Sequence, residues 1–506
     1  MKTPHIPNIA AQLALHALQR PSKVAIVYGE ERVTYREVQD RVEAAARMLR
    51  AEGVQPGDVV GVALRDTPDH LLMLFAVARA GAVVLPIDCR WLPQEKERVV
   101  THFRPRCVLV EPGAAIPGTA SIAADAGWWA RGAALPAGDP WPDGDRGFCL
   151  SLSSGTTGRP KGPLLTHAQF MSRFFTHYAD LGFGSRETYL NATPLYFGGG
   201  RAFSISSLYV GATVVLFAPP HNPQTLADAV QRSRATVSFM VPTMIRRLLA
   251  APPEVVAPMA RLSTLISSGS PLTGDERTQI RERLCPNFIE YYSSTEGGGV
   301  TVLSAEDQLA HGTSVGRPVF GVLVEIVDEA DRPVPRGTVG RIRYTGPTVA
   351  EGFHDDPEAE REAFRDGWFY PGDLGLLNDE GYLFLRGRAK DMIIRGGVNI
   401  YPLEIETVLL NHARIAEAAV IGTPSVEFDE EVVAFVKLAA DTGDGAAPLD
   451  ADAVKAFCKL NLAPYKVPRH VFVVEEFTLN SSGKILKPVL AQLLPTLLPP
   501  SPVAAA

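Results

Sequence analysis

The chain has 506 residues, 46% of them apolar and 21% charged, which is too long for one hydrophobic core and predicts about two to four folding units. That composition excludes a fibrous repeat or a globally disordered chain. A net charge of −7 excludes a protein built mainly to hold nucleic acid or an anionic membrane, since both reward a basic surface, so any phosphate must be bound locally.

The first residues, MKTPHIPNIAAQLALHALQR, are broken by polar residues and proline where an export signal needs an unbroken apolar core. Thr34-Tyr-Arg-Glu37 reads as a capping box opening a helix whose apolar face is Val38, Val42, Ala45, Met48 and Leu49, with Gly53 as its stop. Val59 to Leu64 reads as a short buried strand. The most apolar stretch, Leu71 to Ile87, is interrupted by Arg79 and is too short to span a bilayer, so a buried helix followed by a strand is expected. The five cysteines, Cys89, Cys107, Cys149, Cys285 and Cys458, lack C-x-x-C spacing; this argues against a disulfide framework or zinc site and for a reducing cytoplasm.

After the strand-like Phe148 to Leu152 comes Ser153-Ser-Gly-Thr-Thr-Gly-Arg-Pro-Lys-Gly162. Glycines let backbone N–H groups face inward as a nest, hydroxyls add donors, and Lys161 adds a positive charge, which together suit a polyphosphate. The spacing is not that of a Walker A loop, because Pro160 precedes Lys161 and Gly162 follows it. Read blandly, such a cluster is a surface loop.

Strand and helix alternation, the mark of α/β layering, resumes through Tyr209 to Phe217 and Thr236 to Val241. Ser268-Gly-Ser-Pro-Leu272 alone is a turn. Tyr292-Ser-Ser-Thr-Glu296 precedes Gly297-Gly-Gly299 and alone would cap a loop. From Gly316 the pattern changes to short β-rich runs, Val322 to Val327 and Gly340 to Tyr344, separated by Asp, Pro and Gly turns. Asp373 in Trp368-Phe-Tyr-Pro-Gly-Asp373 reads as a turn former. A charged stretch, Arg388-Ala-Lys-Asp391, marks a boundary after Tyr382 to Gly387. Beyond it lie a helix over Pro402 to Leu410, strands at Ala418 to Ile421 and Val432 to Leu438, and a helix around Ala453 to Leu460. Residues 494–506 are expected to be a flexible tail.

These motifs, in this order, resemble those of the adenylate-forming superfamily of acyl-CoA synthetases, luciferases and peptide-synthetase adenylation domains, and most closely its stand-alone acyl- or aryl-CoA ligases. The resemblance runs from about residue 30 to residue 490. It implies an α/β fold with a large N-terminal lobe of two α/β sheet subdomains plus a β-barrel-like subdomain over 1–387, a hinge at 388–391 and a small mobile α+β C-terminal domain over 392–493.

The resemblance also assigns roles. ATP or AMP would be held by Ser153, Ser154, Gly155, Thr156, Thr157, Gly158 and Lys161 on the phosphates. The adenine turn would be Ser268, Gly269, Ser270 and Pro271, followed by the Tyr292, Ser293, Ser294, Thr295 segment; Asp373 would take the ribose, with Arg388 on ribose or phosphate. Glu296 would help hold Mg²⁺, a hard cation suited to carboxylate and phosphate oxygens. Lys484, in Asn480-Ser-Ser-Gly-Lys484, would bridge the acid carboxylate and the α-phosphate, with Thr157, Lys161 and Glu296 as its catalytic companions. Lys390 would be the pivot, and Gly396 and Gly397 would line the coenzyme A path.

Thr193-Pro-Leu-Tyr-Phe-Gly-Gly-Gly-Arg-Ala-Phe203 falls where the family lines its acid pocket, here Tyr196, Phe197, Gly198, Gly199 and Phe203, with Phe239 and Tyr291 as further walls. Arg201 is expected either to meet a second carboxylate of the substrate or to sit in a surface salt bridge. Two departures stand out: Ser293 replaces a glycine, and Phe197 stands where many members have histidine.

The expected reaction is ATP-dependent activation of a small carboxylic acid, an aryl, alicyclic or medium-chain monocarboxylate, to acyl-AMP. Pyrophosphate leaves, and a thioester then forms with coenzyme A. ATP, Mg²⁺ and coenzyme A are thus the expected cofactors. No nucleic-acid partner and no membrane span are expected, and a homodimer is left open. The alternatives are an acyl-AMP ligase serving an acyl carrier protein or a partner enzyme, a non-catalytic nucleotide-binding protein, and a P-loop phosphotransferase.

Overall fold

The amphipathic segment after Thr34 is helical over Tyr35–Ala51 in the computed structural model, which describes residues 8–137, 140–144, 146–152, 160–425, 427–439, 449–479 and 484–498. Both halves of the capping box form: the Glu37 N–H donates to Thr34 Oγ1 at 3.3 Å, and the Thr34 N–H donates to Glu37 Oε2 at 2.7 Å. Val38, Val42, Ala45, Met48 and Leu49 are all buried. Thr34→Ala is expected to lower stability by about 1 kcal/mol, read as a reduced urea midpoint of the first unit.

The chain divides into two compact units, the first made of residues 1–268, 276–324 and 344–369, the second of 269–275, 325–343 and 370–506. In the first, one sheet runs in the order Arg317–Pro318, Gly298–Leu303, Phe288–Ser294, Thr264–Ser267, Val237–Met240, Thr188–Asn191, Thr213–Leu216, Val24–Tyr28, Glu31–Thr34. Its interior pairs are parallel and its edges antiparallel. A second sheet orders Ser121–Ala123, Cys107–Val110, Val59–Ala63, Val83–Pro86, Gly147–Leu150 and Leu164–Thr166.

Helix Pro68–Ala80 packs on strands of both sheets, Val24–Tyr28 in the first and Val59–Ala63 and Val83–Pro86 in the second. That position explains its apolar surface all round, because a helix covered on two sides has no face left for polar residues. Its Arg79 is buried and pairs with Glu43 at 2.7 Å. Among the described residues no helix is long and apolar enough to cross a membrane.

In the second unit, Asp373–Leu377 pairs antiparallel with Leu383–Arg388, and Gly340 and Arg341 oppose Gly375 and Leu374. Farther on, strands Val398–Ile400, Ile393–Arg395, Asp429–Leu438 and Ile415–Ser425 form another sheet, with His470–Val473 parallel to Asp429–Leu438. Its two long strands alternate over Ala418 to Ile421 and Val432 to Val436. Val420, Val432, Ala434 and Val436 join a core with Ile405 and Leu409 of helix Pro402–Leu410 and Val454 and Cys458 of helix Ala451–Asn461. Ala419, Ile421, Val433 and Phe435 face the other way, onto Leu490 and Leu494 of helix Lys487–Leu497. Leu494, where the flexible tail was expected to begin, is therefore a buried helical residue, held by an apolar face that the prolines nearby obscured.

Candidate active site

The phosphate-loop residues Ser153, Ser154, Gly155, Thr156, Thr157 and Gly158 lie outside the described residues. The chain is described again from Pro160, and Lys161 is half-buried, its Nζ 5.7 Å from the centre of the Phe353 ring. Gly162 fixes this end of the segment: its carbonyl accepts from the His354 N–H at 2.9 Å, and a Cβ on it would stand 2.9 Å from the Phe103 ring. Close approach, not flexibility, accounts for that glycine.

Strand Phe288–Ser294 carries Tyr291 to Ser294, and a hairpin through Thr295, Glu296 and Gly297 returns along Gly298–Leu303. The register slips between Tyr292 and Ser293. There the Ser293 hydroxyl lies 3.1 Å from the Ser268 hydroxyl, so the side chain that replaces a glycine ties the hairpin to the start of the Ser-Gly-Ser-Pro turn. Ser294 Oγ meets the buried Tyr344 hydroxyl at 2.6 Å and accepts from the Gly297 N–H at 2.8 Å.

The three glycines that follow Glu296 each clear room for one large side chain. A Cβ would meet Tyr344 at 2.3 Å from Gly297, Arg173 at 2.9 Å from Gly298, and the Tyr291 hydroxyl at 2.1 Å from Gly299. One of these neighbours was not expected from the sequence. Arg173, on helix His167–Ala179, is buried and donates to the carbonyls of Thr348 at 2.9 Å, Thr295 at 3.2 Å and Glu296 at 2.6 Å. It grips the backbone of the very turn expected to meet phosphate and Mg²⁺. Its signal in the sequence is an arginine set between Phe170 and Phe174 on a helix that carries no other lysine or arginine.

The acid-pocket segment forms a turn and then helix Gly198–Val210, with Phe197 at its N-cap. The Leu195 N–H donates to Asp66 Oδ1 at 2.7 Å. A Cβ on Gly200 would lie 2.4 Å from two carbonyl oxygens, those of Thr193 and Pro194, and one on Gly199 would lie 2.7 Å from Phe239; at Gly198 nothing lies within 4 Å. Phe203, Phe239 and Tyr291 are brought together, with ring centres 4.9 Å apart for the first pair and 6.1 Å for Phe203 and Tyr291.

His177 stacks on Phe203 at 4.4 Å; burial lowers its pKa to about 3, so it is a neutral ring in this stack. Tyr196 sits apart from the stack, edge-on to Trp91 at 5.9 Å with the Arg90 guanidinium 5.5 Å from its ring. Arg201 takes neither expected role. It is 1% exposed, and its guanidinium N–H groups go to backbone carbonyls and a serine hydroxyl.

In the second unit, Gly269 has φ +118° and a Cβ on it would meet nothing within 4 Å, so backbone conformation alone calls for glycine there; Ser270 and Pro271 beside it are exposed. Asp373 and Arg388 are cross-strand partners, joined by an ion pair at 2.9 Å from Arg388 Nε to Asp373 Oδ1. Arg388 Nη1 also donates to the Pro371 carbonyl at 2.7 Å. Lys390 is exposed on a single 3₁₀ turn, Ala389–Asp391.

Gly396 and Gly397, with φ +57° and +78°, make the two-residue hairpin turn between Ile393–Arg395 and Val398–Ile400. Two successive left-handed residues are what such a turn demands. Lys484 is exposed and lies beside the bridge between Leu479 and Ile485. Among the described residues no cluster of three or more His, Cys, Asp or Glu side chains stands ready to hold a metal. A single carboxylate at Glu296 fits a magnesium ion that takes its other oxygens from phosphates.

The AMP-binding enzyme family matches residues 13–354, and the AMP-binding enzyme C-terminal domain matches residues 404–484. The chain is 34% identical over 483 residues to feruloyl-CoA synthase from an Amycolatopsis species, covering 93% of this chain and 96% of that protein. It is 31% identical over 502 residues to indoleacetate–CoA ligase from Aromatoleum aromaticum, covering 95% and 96%. Among solved structures, ATP-bound MatB from Rhodopseudomonas palustris superposes with a TM-score of 0.87 at 30% identity, covering 97% of this chain and 99% of that one.

Proposed function

The chain belongs to the AMP-binding enzyme family, and from that premise we propose that it activates an aryl carboxylic acid and passes it to coenzyme A. It is an AMP-forming acid–thiol ligase that uses ATP, Mg²⁺ and coenzyme A. The observation that carries the reading is the near full-length match to acid–CoA ligases, 93% of this chain against feruloyl-CoA synthase.

A carboxylate and a polyphosphate repel one another, so the first half-reaction is a matter of positioning and of positive charge. The carboxylate oxygen attacks the α-phosphate, the bond to the β-phosphate oxygen breaks, and pyrophosphate leaves. In our assignment Lys161 and Thr157 hold the departing phosphates, and Lys484 stabilises the charge growing on the α-phosphate. Asp373 and Arg388 take the ribose, and Tyr292 lies against the adenine. The magnesium ion, when bound, neutralises phosphate charge, and Glu296 would hold it.

In the second half-reaction the coenzyme A thiolate attacks the acyl carbonyl and AMP leaves. We assign the small domain over 392–493 a rotation about Lys390 between the two steps, which withdraws Lys484 and brings the Gly396–Gly397 turn to the cleft. We also place the enzyme in the cytoplasm, in keeping with five free cysteines, and leave a homodimer as an outcome of light scattering.

Two features support an aryl acid. The relatives are named for ferulate and indoleacetate, and the expected pocket walls are a cluster of rings, with Phe203 stacked on Phe239 and Tyr291 tilted beside it. Pyrophosphate release across a panel of aryl, alicyclic and straight-chain acids tests this, with aryl acids expected to give the highest kcat/KM. Acyl-AMP that persists beside coenzyme A would point instead to a carrier protein as acceptor. Orthophosphate in place of pyrophosphate would refute adenylation. Glu296→Gln is expected to raise the Mg²⁺ concentration for half-maximal rate by roughly tenfold or more, since it removes a charged oxygen ligand; an unchanged Mg²⁺ titration would remove Glu296 from the metal site.

A further inference from the structure

Arg201 lies in the first turn of helix Gly198–Val210 and is 1% exposed. Its Nη1 donates to the carbonyls of Leu195 at 3.2 Å and Tyr196 at 2.6 Å, and its Nη2 donates to Ser151 Oγ at 3.1 Å. Each of these partners is neutral, and Nε has no partner among the described residues. Nearby His70 is neutral: burial lowers its pKa to about 4, and the Arg201 charge acts in the same direction.

Burying a cation among neutral groups costs stability, and an apolar side chain of like volume would serve the core better. The reason for keeping it lies in what it joins. Ser151 stands just ahead of the segment 153–162 assigned to ATP, whereas Leu195 and Tyr196 form the turn leading into the segment assigned to the acid. A planar guanidinium, with donors on a rigid fork, fixes both sides at once in a way that a flexible ammonium does not.

We propose that Arg201 is a positioning residue that locks the entry of the ATP segment to the turn of the acid pocket, so that each substrate binds more tightly when the other is in place. Ordering one side of the fork sets the other, and such a coupling is reciprocal. This rests on the assignment of 153–162 and 193–203 to ATP and acid.

The test is steady-state pyrophosphate release by wild type, Arg201→Met, Arg201→Lys and Ser151→Ala, with the acid KM measured at low and saturating ATP and the ATP KM at low and saturating acid. Wild type should show each KM falling as the other substrate saturates. Arg201→Met should raise both KM values by about tenfold and bring the ratio of low-to-saturating KM close to one. Arg201→Lys, which keeps the charge and can still reach a carbonyl, should recover the acid KM more than the ATP KM. Ser151→Ala should lose the coupling and keep the fold.

Wild-type KM values and coupling in Arg201→Met, even beside a lowered unfolding midpoint, would overturn the proposal; should that variant not fold, unchanged coupling in Ser151→Ala overturns it alone. Wild type that releases no pyrophosphate with any acid would instead sink the functional reading beneath it.

Discussion

Lys484→Ala is expected to slow acyl-AMP formation by about 10² to 10³, the usual loss when one preorganised donor to a charged transition state is removed, and to leave thioester formation from supplied acyl-AMP within about twofold of wild type. Two unit charges 4 Å apart repel by about 4 kcal/mol at an effective dielectric of 20, which sets the scale of the problem that bringing the acid's carboxylate to ATP creates. A lysine ammonium placed between them removes it. In the second half-reaction the attacking thiolate meets an uncharged carbonyl, and that requirement disappears.

The site of the substitution favours a clean result. Lys484 is exposed, and its neighbour Ile485 packs against the core that holds Phe435 and Leu490, so the change should move stability by no more than about 0.5 kcal/mol. Quenched-flow measurement of each half-reaction separates the outcomes. Equal loss of both would take the bridging role away from Lys484.

What the sequence revealed and what it hid divide along chain distance. The capping box at Thr34 and Glu37 is visible because its partners are three residues apart. The doubly buried helix Pro68–Ala80 is visible because its apolar surface is continuous along the chain. The expected contacts of Ser268, Ser293, Asp373 and Arg388 come from short local motifs, whose order along the chain carries more weight than any one of them.

The pairing of those motifs was not legible. Ser293 meets Ser268 across 25 residues, and nothing local tells a serine that replaces glycine whether it distorts the turn or finds a hydroxyl partner. Arg201 was expected at a second substrate carboxylate or in a surface salt bridge, yet it is buried beside a helix entry where Gly200 leaves no room for a Cβ against the Thr193 and Pro194 carbonyls. Leu494 was assigned to a frayed end because composition outweighed spacing; the sheet face formed by Ala419, Ile421, Val433 and Phe435 supplies the partner surface that no local window contains.

Arg173 is the residue of largest structural consequence that the sequence did not identify, because its three acceptors lie between 122 and 175 residues downstream. Burial lowers its pKa to about 10, so it remains a cation at neutral pH, and its contribution does not vary with pH there. Its folded value lies below the ordinary arginine value, so the proton balance shifts only in strongly alkaline solution, where stability would rise with pH through that range.

Arg173→Met keeps most of the volume and removes every donor. The Glu296 carbonyl retains the Ala350 N–H at 2.9 Å, whereas the Thr295 and Thr348 carbonyls lose the partner that the guanidinium gave them. Leaving a buried carbonyl without its donor costs about 1–3 kcal/mol, and the first unit is expected to lose stability of that order in chemical denaturation. The enzyme that remains folded should need more ATP and more Mg²⁺ for half-maximal pyrophosphate release, because the turn bearing Thr295 and Glu296 is no longer gripped from behind. Arg173→Lys should recover part of the stability and less of the Mg²⁺ dependence, since one ammonium cannot span three carbonyls in the way a fork does. A loss of stability with ATP and Mg²⁺ titrations unchanged would make Arg173 a brace of the core alone, and would separate the rigidity of that turn from the chemistry assigned to it.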